Sequence, residues 1–139
     1  MGQRKTVLNI PAASNFSVTT NGQTTDAQFM ATALGTNTSP DGLPWSAGLA
    51  TDAQETLLIL MNLTSITATN VTFFIDTLGD DGVWYPLCNS APLTGALQKY
   101  VFTLAGQNST SQEFGARVRL RWVVSGVGTV MFSGTIFGK

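Results

Sequence analysis

The sequence predicts an all-β chain: an antiparallel β-sandwich, jelly-roll-like, with an extended N-terminal arm. Short segments of alternating apolar and polar residues follow one another at even spacing, each bounded by Gly, Pro, Asn or Asp. Threonine, a strand former, occurs 20 times in 139 residues. Charged residues make up only 11 % of the chain, against about 25 % in an average soluble domain. The polar surface must therefore come largely from Ser, Thr, Asn, Gln and Gly. Such a surface fits either a Thr-rich β protein or one taken up by protein contacts, whose centres are poor in charge. A chain of this length is one domain by prior, and about two-thirds of its unfolded surface is buried on folding. Residues 1–12 form the arm or a first strand, and residues 13–139 the sandwich.

The elements follow in order. "RKTVLNI" reads as the arm or first strand, and "NFSVTTNGQ" as a strand running into a turn at Asn21-Gly22. "TTDAQFMATALG" permits a short helix capped by Thr25 or Asp26 and stopped by Gly35, with Phe29, Met30, Ala33 and Leu34 as its apolar stripe; a strand is the alternative. "TNTSPDGLPWSAG" is a loop. "ETLLILMNLT" is a strand apolar on both faces, Leu57, Ile59, Met61 and Leu63 on one and Leu58 and Leu60 on the other, so its outer face meets an interface or a covering loop. "ATNVTFFIDTLGDDGVWYPLC" is a hairpin turning at Asp80-Asp81-Gly82. "LQKYVFTL" puts Tyr100, Phe102 and Leu104 on one face, and "AGQNSTSQEFG" is a polar loop.

The chain closes with "ARVRLRWVVSGVGTVMFSGTIFGK". Alternation sends Val118, Leu120, Trp122 and Val124 inward and Arg117, Arg119 and Arg121 outward. Folding back about Gly126-Val127-Gly128 gives a hairpin in which Trp122 faces Phe132 and Leu120 faces Gly134. The three arginines are a candidate partner-binding ladder, because guanidinium forks suit planar anions. Ion pairing within the chain, with Asp76 or Glu113, is the alternative. Arg4 and Lys5 on the arm are further candidates, reaching a neighbour by strand addition.

Several function classes drop out. No histidine means no Ser-His-Asp triad and no two-cysteine, two-histidine zinc site, and Ser, Thr and the single Cys88 have no base beside them. The expected protein is non-enzymatic, without metal or cofactor. A net charge of −1 argues against bulk binding to nucleic acid. The longest apolar run, "LLILM", is far short of the roughly 18 residues of a membrane helix. Trp45 or Trp84 could serve as a sugar-stacking platform, which would make the chain a carbohydrate-binding module.

From about residue 50 to residue 137, "ETLLILMNLTSITATNVTFFID", "DDGVWYPL", "LTG" and "RVRLRWVVSG" with a final apolar strand resemble a kind of small β-sandwich structural protein of tailed bacteriophage virions. The resemblance implies a capsid decoration, or cement, subunit on the virion surface, made in the host cytoplasm. The implied partners are the major capsid protein and further copies of the chain, as a homo-oligomer with a trimer expected. A neck or tail adaptor is the alternative within the same particle.

Overall fold

The computed structural model describes residues 5–14, 16–51, 56–95, 98–105 and 116–139. Two antiparallel sheets pack face to face. Among the described residues ten strands build them: β1 (Lys5–Ile10), β2 (Ser17–Val18), β3 (Gly22–Gln23), β4 (Leu49–Ala50), β5 (Thr56–Ile66), β6 (Asn70–Leu78), β7 (Trp84–Asn89), β8 (Lys99–Ala105), β9 (Arg117–Ser125) and β10 (Val130–Gly138). The first sheet runs β1–β10–β5–β8, with β2 on the start of β10. The second runs β3–β9–β6–β7, with β4 beside β3 on the same edge of β9. The chain changes sheet at most connections, and among the described residues β6–β7 is the only pairing between consecutive strands.

Alternation explains which side chains enter the core. On β5, Leu57, Ile59, Met61 and Leu63 are buried, and Val71, Phe73 and Ile75 do the same on β6. Rings close the gap between the sheets. Trp122 and Phe132 have centroids 5.5 Å apart, Phe73 lies 4.9 Å from Phe132, and Phe16 lies 5.7 Å from Trp122. The segment after β3 is the helix rather than the strand: α1 (Ala27–Leu34) begins where the Asp26 carboxylate accepts the Phe29 N–H at 3.0 Å, and it ends at Gly35 in the left-handed region. Its Phe29 seals one end of the core against Phe16 and Trp122.

Three expectations need correction. β9 and β10 are not a hairpin: β9 pairs with β3, β4 and β6, while β10 pairs with β1, β2 and β5. Trp122 stands beside Phe73 and Gly22 in its own sheet and meets Phe132 across the sandwich. The cause is the corner at Gly126–Gly128. It crosses the corresponding corner after β5, where Thr67 N–H donates to Thr129 O and Thr69 N–H to Ser125 O, both at 2.9 Å. The two corners thus carry neighbouring strands together from one sheet to the other. "NFSVTTNGQ" is also not one strand, because β2 belongs to the first sheet and β3 to the second. Lastly, the N-terminal segment, expected as an arm or a first strand, is the strand rather than the arm over Lys5–Ile10, at the sheet edge antiparallel to β10, with Val7, Leu8 and Ile10 in the core. The hairpin at Asp80-Asp81-Gly82 is present as expected. Arg4, Glu113 and most of the polar loop at 105–115 lie outside the described residues.

The corner yields a prediction. Gly128 has φ +147°, and a Cβ there would stand 2.5 Å from the Ala68 backbone nitrogen. Gly128→Ala should lower stability by roughly 1–3 kcal/mol from backbone strain alone, and more from the clash. Denaturant titration checks this, with Gly42→Ala as control for φ, since Gly42 is also at positive φ but has open space around it.

Candidate functional site

The arginine ladder lies on the outer face of the second sheet, as its alternation requires. Asp76 of β6 sits directly opposite Arg119 and diagonal to Arg121, which itself faces Phe74. Arg119 Nε donates to Asp76 Oδ2 at 2.8 Å. Arg121 makes a two-pronged contact, Nε to Oδ2 at 2.8 Å and Nη2 to Oδ1 at 3.0 Å. The Asp76 side chain is only 2 % exposed beneath the Arg119 and Arg121 side chains, which are 19 % and 25 % exposed. Aromatic faces bracket the group: Arg119 lies 4.8 Å from the Trp84 ring centroid and Arg121 4.2 Å from that of Phe74. Gly48 makes room for this stack, since a Cβ there would stand 2.7 Å from the Trp84 ring.

Burial by itself would raise the Asp76 pKa, but hydrogen bonds from Arg121 and Arg119, helped by their charges, reverse that and hold the carboxyl below its usual range. Intrachain pairing with Asp76 therefore accounts for two rungs of the ladder. Arg117, the third, has a buried Nη1 with no hydrogen-bond partner among the described residues. Nearby, burial pushes the Cys88 thiol up to about 11, which leaves it a poor nucleophile at neutral pH.

The other candidates scatter. Lys5 is exposed at the start of β1, remote in sequence and in sheet from the ladder. Trp45 is no platform: it is 2 % exposed, and its Nε1–H donates to Thr36 O at 2.8 Å. Trp84 is engaged with Arg119, and Tyr85, 47 % exposed, bonds through its hydroxyl to Asp81. No cluster of three or more potential metal-ligating side chains occurs among the described residues, and no described helix is long and apolar enough to cross a membrane.

A second surface was visible only in part from the sequence, which gave β5 an apolar outer side at Leu58 and Leu60. On the outer face of the first sheet, cross-strand pairing lines up Asn9, Thr135, Leu60 and Val101 across all four strands. Thr135 Oγ1 donates to Asn9 Oδ1 at 3.0 Å, whereas Leu60 and Val101 are 36 % and 57 % exposed. A groove of about 370 Å³ borders this row and also takes in Pro11, Asn62, Lys99 and Tyr100. The signal in the sequence was the apolar outer side of β5, whose neighbours only the sheet order supplies.

The Asp76 pairing makes acid stability measurable. A carboxyl with a depressed folded pKa contributes fully above its unfolded value of about 3.9 and loses that contribution as pH falls through the folded value. The wild-type melting temperature should therefore drop below about pH 4. Asp76→Asn should be about 2–3 kcal/mol less stable at pH 7 and show a smaller acid drop in thermal melts. Equal acid drops in the two proteins would show that Asp76 does not carry the dependence.

The sequence matches no protein-family model and no curated protein.

Proposed function

We propose that this chain is a non-enzymatic structural protein of a phage virion, a capsid decoration subunit that binds the shell of major capsid protein. The observation that carries the reading is the exposed apolar strip of Leu60 and Val101 on the first sheet, which is surface suited to protein contact rather than to chemistry. Two features support it. The polar constellation on the second sheet is largely closed on itself through Asp76, and the segments quoted from residues 50–137 resemble those of small virion sandwich proteins. The strand order, with sheet changes at most connections, favours the jelly-roll form of the sandwich. Arg117, the rung that Asp76 does not hold, is the one proposed to meet an acidic group of the shell, with Lys5 and Arg4 as additional contacts.

The test is cosedimentation of the purified chain with undecorated heads, followed by cryo-electron microscopy. Bound density on the shell at regular positions is expected. Density confined to the neck or tail would favour the adaptor role, and glycan binding without particle binding would overturn the structural one. Arg117→Gln should leave the melting temperature unchanged and lower occupancy on heads. Unchanged occupancy would make the ladder a purely intrachain device.

A further inference from the structure

Charge and exposed apolar side chains are divided over the described surface in a way that suits two different patches to each other. Lys5, Lys99 and Lys139 all belong to the first sheet or to the residue that follows it. Asp26, Asp41, Asp80 and Asp81 all lie off that sheet. The β6–β7 turn combines Asp80 and Asp81 with Val83 and Tyr85, which are 50 % and 47 % exposed. The first sheet combines Lys99 with Leu60 and Val101 along the groove. One patch is apolar and acidic, the other apolar and basic.

We propose that copies of this chain associate head to tail, the β6–β7 turn of one copy docking on the outer face of the first sheet of the next, with Val83 and Tyr85 against Leu60 and Val101 and the Asp80–Asp81 carboxylates near Lys99. The occupant of the groove is thus a second copy. Face-to-face pairing of two first sheets about a twofold axis would set Lys99 and Lys5 near their own counterparts, which like-charge repulsion disfavours. Head-to-tail contact instead joins opposite charges. The turn is also held in shape before docking: Asp81 accepts the Val83 N–H at 3.0 Å and the Tyr85 hydroxyl. That reduces the side-chain ordering that association would otherwise require. The other exposed apolar tip, Val127 at 98 % exposure, has no charged residue within two positions to match the lysines. A contact between two different patches closes into a ring if its rotation permits and otherwise grows into a filament.

This inference deepens the structural reading above and rests on it for its biological setting, yet its test needs no particle. Sedimentation velocity on the isolated chain at micromolar to tens of micromolar concentrations should show self-association. Val101→Glu spoils the groove and Val83→Glu spoils the turn, both at exposed positions, and thermal melts confirm that each variant folds. Each alone should weaken association by at least about tenfold, since either buries an unmatched charge. Mixed together, the two variants retain one intact groove and one intact turn between them. The mixture should therefore form a heterodimer that goes no further. A wild-type monomer throughout that range, full association of either variant alone, or a mixture without heterodimer would each overturn the proposal. Occupancy on heads is scored separately: a monomer that still decorates them sinks the head-to-tail contact and leaves the structural role standing, whereas association without decoration does the reverse.

Discussion

The arrangement of this protein depends on the place where two chain corners cross. After β5 and after β9 the chain passes between the sheets, and hydrogen bonds from Thr67 to Thr129 and from Thr69 to Ser125 tie the two passages together. Glycine is needed there because the backbones approach too closely for a side chain: at Gly126 a Cβ would meet Thr69, and at Gly128 the Thr67–Ala68 peptide. With the corners tied, β10 is set beside β5 and β9 beside β6. Trp122 and Phe132 then come together from opposite sheets, and the aromatic cluster that fills the core follows from that meeting.

The same placement decides the fate of the charges. Because β9 lies against β6, Arg119 and Arg121 find Asp76, and the buried carboxylate separates two cations that would otherwise repel. A buried ion pair adds net stability only where hydrogen bonds offset desolvation. Here three hydrogen bonds reach one carboxylate, and Trp84 and Phe74 limit water at its flanks. Of the two readings that the sequence left open for the ladder, partner binding or pairing within the chain, two rungs do pair within the chain, tying β9 to β6 through Asp76.

The exposed apolar side chains lie away from those rungs, on the first sheet and at the β6–β7 turn. The strip on the first sheet exists because β8, at the sheet edge, puts Val101 beside Leu60. β7, at the edge of the other sheet, carries the exposed Tyr85, and Pro86 is tolerated there because an edge strand leaves some N–H positions without a ladder partner. The two edges therefore present different chemistry, one basic and apolar, the other acidic and apolar.

By itself the sequence determined what a period of two can determine. It identified the β class, the two apolar faces of β5, the inward faces of β9 and β10, the turn at Asp80-Asp81-Gly82 and the possible helix stopped by Gly35. It named Asp76, alongside Glu113, as a possible arginine partner, and Asp76 is the one that the structure shows paired. It could not say which strands are neighbours. Val118, Leu120 and Trp122 alternate identically whether β9 pairs with β10 or lies across the core from it, because alternation encodes a face and carries no information about the strand alongside. The short pieces β2 and β3, the incorporation of Lys5–Ile10 into the sheet and the alignment of Leu60 with Val101 depend on that missing information. The tertiary structure supplied it through long-range backbone hydrogen bonds and the packing of two layers, which no local stretch of sequence contains.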